Sequence, residues 1–375
     1  MRITKLELFH ISIPFKKPYK LSKKYGTQTH AHAVIFKIHT DAGIVGLGES
    51  DTLNPFTAET PSSVMVVTRD IIAPLLINQD PTQIAMLEAA LDQGVSGNLS
   101  ARGAVNMALY DIVGKAYNVP VYLLLGGLKH TQLPLLGPIG SGTPDEDADA
   151  IEALYEEGYR TVMIKMGALP IADEIKRMIS AKQRFGDRMK LIPDANQGWE
   201  TSEALEFVNG VKDHAPDLLE QPIRSWDIDG LKRIRNRMAC PLAVDESLMT
   251  AQDAATIIRE RAADVFSIKV SKNGGLTKSV QIAQTAGLFD IKCLMNSMLE
   301  FGITQAASLH LGLTLPNLVD MGHAYMSVLR MADDITDFHR NISHAVVTPP
   351  EGSGLGIALN EDKLKKYTQD YIKIQ

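Results

Sequence analysis

The chain has 375 residues, 45% of them hydrophobic and 22% charged, with a formal net charge of −6. That length points to two domains rather than one, and the composition is that of a folded protein, not a disordered one. No basic cluster stands out beyond Lys16-Lys17 and Lys23-Lys24, which excludes a nucleic-acid-binding stripe, and no apolar run approaches the roughly 18–20 residues that span a bilayer.

Met1 to Leu8 alternates charged with apolar residues and has no apolar leader, so no cleaved signal is expected and the reading is a cytoplasmic protein. Ile3–Phe15 and His32–Thr40 alternate like strands. Asp41-Ala42-Gly43 makes a hairpin turn, and Ile44–Glu49 returns from it. A basic and aromatic segment, 16–26, lies between the first two strands, and a second loop, 51–56, follows the third. Loops of this composition read as solvated surface, with a lid over a substrate as the alternative.

Helical patterns follow at Ser63–Leu76, at a second helix opened by Asp80-Pro81, and at Ala101–Tyr117. The last places Ala104, Ala108 and Asp111 on one face. Small residues there permit close packing, and Asp111 reads as a buried carboxylate with a cationic partner. Leu125-Gly126-Gly127 closes an α+β capping unit, residues 1–128.

From Leu133 the pattern changes. Short apolar runs, too short for helices and too apolar for one-sided strands, alternate with helix-length stretches. The first run is Leu133–Ile139. The next five end at Lys165, Asp194, Glu220, Asp245 and Lys269, about 25 residues apart, which is one strand, one helix and two loops. Lys292–Ser297 is the seventh, and Asn317–Met321 is the weak eighth. The fold predicted is α/β: a (β/α)7-8 barrel over 129–340, with residues 341–375 returning to the capping unit. Thr201 or Ser202 is the expected N-cap of its helix. Cys240 and Cys293 read as free thiols at or inside strands.

Strand C-terminal ends are where such a barrel builds its site. Asp194, Glu220 and Asp245 end three successive strands, spaced roughly 4.8 Å apart, so they are expected to converge on one ion. An all-oxygen set suits magnesium, with manganese a close second. Singly, each acid is an ordinary charged strand end; three in succession favour a metal. Lys165 and Lys269 bracket the series. A lone strand-end lysine reads as an ion-pair partner. Two flanking a metal triad read as general acid and base, because a dication and a second ammonium each ease loss of a lysine proton.

This arrangement resembles the enolase superfamily and, within it, the muconate lactonizing enzyme subgroup. The resemblance is carried by the Asp-x-x-Gly-Lys ending at Asp111–Lys115, the Leu-Gly-Gly boundary, Asp194-Ala195-Asn196-Gln197, Glu220-Gln221-Pro222, Asp245-Glu246-Ser247, Lys269-Val270-Ser271-Lys272-Asn273-Gly274-Gly275, Ser297-Met298-Leu299-Glu300 and the stretch Gly352–Ile357. It implies metal ligation by Asp194, Glu220 and Asp245, acid/base roles for Lys165 and Lys269, and substrate selection by segments 16–26 and 51–60. A small carboxylate substrate and a homo-oligomer are implied as well. Tyr19, Asn296, Glu300, Asp320, His323 and Tyr325 are pocket candidates. Asn196 and Glu246 stand beside the ligands as their support, with Trp199 close by.

Two departures bear on identity. The subgroup's Lys-x-Lys at the second barrel strand is Met163-Ile164-Lys165 here, and strand alternation puts Met163 and Lys165 on one side. Dipeptide epimerases resemble one another in an Asp-x-Asp at the eighth strand, where this chain has Asp320-Met321-Gly322-His323. The function implied is Mg2+-dependent removal of a proton α to a carboxylate through an enolate. The enzyme is expected to be an isomerase, either a muconate-type cycloisomerase or a racemase/epimerase of an amino-acid derivative. A lyase (o-succinylbenzoate synthase or hydroxy-acid dehydratase) is the alternative, and a catalytically silent binding barrel is the reading from another class.

Overall fold

The computed structural model describes residues 1–375. The alternating N-terminal residues form an antiparallel meander of β1 (Ile3–Lys20), β2 (Thr27–Thr40) and β3 (Val45–Asp51), and the C-terminal strand Thr368–Ile374 pairs with the free edge of β1. One face of this sheet, through Leu6, Leu8, Val34 and Phe36, packs on the capping helices. The other face changes character along β1. Lys5 and Glu7 are half-buried, whereas Ile11 and Ile13 are fully buried in the barrel's core. The charged–apolar alternation therefore ends where the barrel begins to cover the sheet.

The segment expected to be a loop at 16–26 is strand in its first half. β1 continues to Lys20, with Tyr19 opposite Gln28 and Lys20 opposite Thr27, so only residues 21–26 form the hairpin tip. The expected helix over 63–76 runs from Pro61 to Leu76 with a π-helical turn at Thr68–Ile72. Asp80-Pro81 precedes a helix that starts only at Ile84; Asp80 holds the turn through the Thr82 amide instead. The helix Leu99–Tyr117 is buried along most of its length. Gly46 and Gly48 of β3 lie against the Ala108 and Ala104 carbonyls, at distances where an added Cβ would collide. Asp111 accepts from the Leu47 and Leu355 amides, each at 2.9 Å, and from the Lys115 ammonium at 2.6 Å.

The barrel sheet is seven parallel strands after a short β4 (Leu133–Pro134): β5 (Leu136–Ile139), β6 (Thr161–Lys165), β7 (Lys190–Asp194), β8 (Leu219–Glu220), β9 (Leu242–Val244), β10 (Val265–Ile268) and β11 (Lys292–Met295), in that order. Their apolar side chains lie at the centre of one core of 76 buried residues, which the surrounding helices and the inner end of the cap sheet complete. The expected eighth strand is reduced to two single bridges, Leu318 to Cys293 and His323 to Leu135, which join β11 back to the β4–β5 side. Gly322 permits that closure, since a Cβ there would lie 2.4 Å from the Leu135 backbone. β4 also pairs with Val346–Val347 of the tail.

Thr143 and Thr250 head their helices with capping boxes. At the third barrel helix the N-cap is Glu200, not Thr201 or Ser202. The Thr201 hydroxyl donates instead to Asp227 at 2.9 Å. Cys240 is half-buried and Cys293 buried, both unpaired, and burial pushes each thiol up to about 12. No helix is long and apolar enough to cross a membrane.

Candidate active site

Parallel strands deliver their last side chains to one rim, and five of them place charged groups there. Asp194 and Glu220 are direct neighbours in register. Lys165 stands beside Asp194 on β6, and Asp245 and Lys269 follow immediately after β9 and β10. All five are buried. β6 and β10 are four places apart in a barrel of eight staves, so the two lysines face each other across its mouth.

No three His, Cys, Asp or Glu side chains form a ready metal cluster, which differs from the convergence expected of the triad. A buried carboxylate needs a cation or several donors, and the flanking lysines are nearest. Lys165 donates to Asp194, and Lys269 to Asp245 at 2.6 Å. Lys272 reaches the other Asp245 oxygen at 2.8 Å while donating to the Asp245 and Ser267 carbonyls. Glu220 has no ammonium partner; Ser267 and Asn296 donate to its Oε1 at 2.8 and 2.7 Å, and its Oε2 has no partner.

Charge follows from these contacts. Burial, then Asp194 and Asp245, drive the Glu220 carboxyl well above the usual carboxylate range. Asp245 is held low: burial would raise it, but Lys269 and Lys272 outweigh that. Burial would loosen the protons of Lys165 and Lys269; Asp194 at the first and Asp245 at the second prevail, and both amines are held protonated. The protein groups alone therefore act against the easier proton loss expected of these lysines. The donor set nevertheless fits a hard divalent ion: all the acids supply oxygen, and Glu220 Oε2, Glu246 Oε2 and Asn196 Oδ1 are buried without partners.

The cap closes this rim. Lys23 N–H donates to the Gly167 carbonyl at 2.9 Å, and the Ser22 hydroxyl to the Asn196 carbonyl at 3.1 Å. The Tyr25 hydroxyl donates to Glu246 at 3.0 Å and accepts from Gln197 at 2.6 Å. The hairpin tip is therefore docked on the ends of β6, β7 and β9 rather than solvated. Phe56, from the loop after β3, stacks near Tyr25 and covers the Lys269 ammonium. Beneath them is a cavity of about 530 Å3, counting the open space at its mouth. Lys165, Lys269, Met163, Asn196, Asn296 and Tyr19 line it together, so Met163 and Lys165 do share a side.

Other candidates lie elsewhere. Asp320 is exposed. His323 is buried beside β4, accepting from the Met295 amide at 3.2 Å, and burial lowers it to about 3. Tyr325 donates to the Ser308 carbonyl at 3.0 Å. Glu300 binds Gln305, Ser297 and the Met298 amide, and burial together with Asp51 raises it to about 7. None of these four lines the cavity: Asp320 faces solvent, while His323, Tyr325 and Glu300 are buried in packing. Glu246 supports the hairpin tip and, through Asn196, the metal-side rim; burial, then Asp245 and Asp194, raise it to about 7. Trp199 is buried against Phe207. Sequence reasoning assigned no role to Lys272, Gln197 or Arg330. The Lys-Val-Ser-Lys spacing was a signal for Lys272; nothing local pointed to Arg330.

Residues 146–363 match the family model for the enolase C-terminal domain-like fold, and residues 3–126 match that for the mandelate racemase / muconate lactonizing enzyme N-terminal domain. The chain belongs to the mandelate racemase/muconate lactonizing enzyme family. It is therefore an isomerase of the enolase superfamily, a group whose members imply a divalent metal. Among members of this family, the chain is 30% identical over 376 residues to N-succinyl-L-Arg/Lys racemase of Bacillus cereus, covering 100% of both chains. A solved structure of the Bacillus cereus N-succinyl Arg/Lys racemase superposes with a TM-score of 0.95 at 29% identity, again covering 100% of both. Muconate lactonizing enzyme from Pseudomonas fluorescens, complexed with muconolactone, gives 0.93 at 31% identity over 98% of this chain and 99% of that one. L-Ala-D/L-Glu epimerase of Clostridium acetobutylicum is 33% identical over 83% of this chain and 86% of its own length.

Proposed function

We propose that the protein is a Mg2+-dependent racemase of an N-acylated amino acid, moving the proton on the carbon next to the carboxylate. The observation that carries this is the placement of Lys165 and Lys269 on opposite walls of one cavity. Each ammonium reaches one face of a carbon held between them, so one lysine removes the proton and the other delivers its replacement from the opposite side. Asp194, Glu220 and Asp245 would hold the ion. The ion would offset both the carboxylate charge that keeps the lysines protonated and the charge that builds on the substrate carboxylate. Lys272 keeps Asp245 oriented while Lys269 moves between bonding it and serving the substrate.

No carboxylate side chain lines the cavity. A free substrate ammonium, as in a dipeptide, would lack a partner there, whereas an acylated nitrogen needs none. The substrate class follows the likeness to the N-succinyl-L-Arg/Lys racemase. The test is to incubate each enantiomer of a series of N-succinyl amino acids with Mg2+ in deuterated water. Wild-type protein is expected to exchange the α-proton and invert configuration. Lys165→Ala and Lys269→Ala should each slow inversion by about 10²–10⁴-fold, with each variant retaining exchange for only one enantiomer. Conversion of muconate to a lactone without racemisation would replace this reading with a cycloisomerase.

A further inference from the structure

The cavity has a second cationic wall, built from Arg330 and far along the chain from the strand-end lysines. The Arg330 guanidinium carbon sits 3.4 Å from the centroid of the Tyr19 ring. Both residues line the cavity, and Arg330 also lines the adjoining cleft that opens past Lys16, Lys17 and Lys20. The two carboxylates in that cleft are engaged elsewhere: Glu146 accepts from the Thr143 amide at 2.7 Å, and Asp147 from Arg177 at 2.7 Å. Arg330 forms no ion pair, although it is half-buried. Tyr19 is only 3% exposed, and its hydroxyl has no partner.

Backbone contacts hold this wall in place. Phe15 bridges Met331, the Ala332 amide donates to the Pro14 carbonyl at 2.9 Å, and the Lys16 ammonium donates to the Leu329 carbonyl at 2.9 Å. The hairpin and the 329–332 segment are thus one unit, and the planar guanidinium is pre-oriented by the Tyr19 ring. Lys165 and Lys269 already have Asp194 and Asp245 as partners. The uncompensated positive charge of the cavity is therefore at Arg330.

We infer that Arg330, with the unpartnered Tyr19 hydroxyl beside it, is a specificity-determining pair that receives a second anionic group at the far end of the substrate. The preferred acids are those whose acyl group ends in a carboxylate. A guanidinium can grip that carboxylate through two parallel hydrogen bonds, while a substrate ending in a cation is repelled. This rests on the reading of the cavity as an N-acyl amino-acid site.

The test is calorimetric titration, with MgCl2 present, of N-succinylglycine and N-acetylglycine, which differ by the distal carboxylate. Wild-type protein should bind the succinyl compound about 10- to 100-fold more tightly. Arg330→Gln should erase that preference by weakening N-succinylglycine alone, and Arg330→Lys should recover part of it through charge without the bidentate grip. Equal affinity for the two compounds in the wild type, or a preference that survives Arg330→Gln, overturns the inference. α-Proton exchange with N-succinyl amino acids is measured in parallel. Loss of the preference in Arg330→Gln without any exchange in the wild type leaves the role of Arg330 standing and removes the racemase reading. Exchange with both acyl series at equal affinity does the reverse.

Discussion

The Phe56 ring centroid lies 4.4 Å from the ammonium of Lys269. A capping-unit loop thus touches a barrel strand end directly, over a group that the proposed reaction needs. The contact is a cation–π pair in a site screened from water, where such pairs are worth about 1–2 kcal/mol. Phe56→Ala should lower kcat/KM by about 5- to 30-fold. The thermal midpoint should change little, since Phe56 is only half-buried. Steady-state racemisation assays with parallel melting curves check both halves; unchanged turnover would reduce Phe56 to a surface contact.

Glu220 is the most strained charge of the rim, because burial and two carboxylate neighbours act on it together. Glu220→Gln keeps the oxygen that accepts from Ser267 and Asn296 and removes the charge. Without divalent ions the variant should melt higher than the wild type. Its Mg2+ affinity should fall by about 100-fold or more, since losing even an outer partner of a metal site costs roughly 10–100-fold. Wild-type affinity in a calorimetric Mg2+ titration would remove Glu220 from the ligand set.

His310 is buried where three parts of the chain meet. Its Nδ1 accepts from the Tyr122 amide at 3.3 Å, and its Nε2 donates to the Leu355 carbonyl at 3.1 Å. Burial lowers it to about 4, below the ordinary value of about 6.5. Between those values the unfolded chain binds the proton and the folded chain does not. This contribution to stability is full above pH ~6.5 and declines as pH falls toward 4, by about 3 kcal/mol in all. His310→Gln should flatten the unfolding free energy over pH 4.5–6.5, at a cost near neutrality of about 1 kcal/mol. An unaltered pH slope in denaturant titrations would assign the acid sensitivity to other groups.

Asp111 ties the buried helix of the cap to β3 and to the tail. Asp111→Ala leaves the Leu47 and Leu355 amides without their acceptor and the Lys115 ammonium with only the Val45 carbonyl. The expected loss is about 3–5 kcal/mol, the scale for breaking a buried pair from one side. Equilibrium unfolding measures it, and a loss under 1 kcal/mol would show that water replaces the carboxylate. Asp111 does not line the cavity, so the folded fraction should retain its turnover per molecule.

The five charged strand ends were legible without coordinates, as were the barrel and the antiparallel cap. Strand and helix periods, and the repeat of one strand plus one helix, are set by neighbours in the chain, so Lys165, Asp194, Glu220, Asp245 and Lys269 had to reach one rim once the barrel closed. Met163 beside Lys165 was likewise fixed by alternation. Only the tertiary structure decided which oxygen meets which cation. Asp245 shares two lysines, Glu220 has none, and the choice depends on burial and on side chains from other strands. The same holds for the hairpin tip, whose basic and aromatic residues look like solvated surface until Gln197 and Glu246 receive Tyr25. It holds for His323 and Tyr325 too, which are buried in packing rather than lining the cavity. Arg330 is the clearest case: what makes it notable is the ring of Tyr19 from the opposite end of the chain, and no local pattern encodes a contact that exists only after β1 and the 329–332 segment have paired.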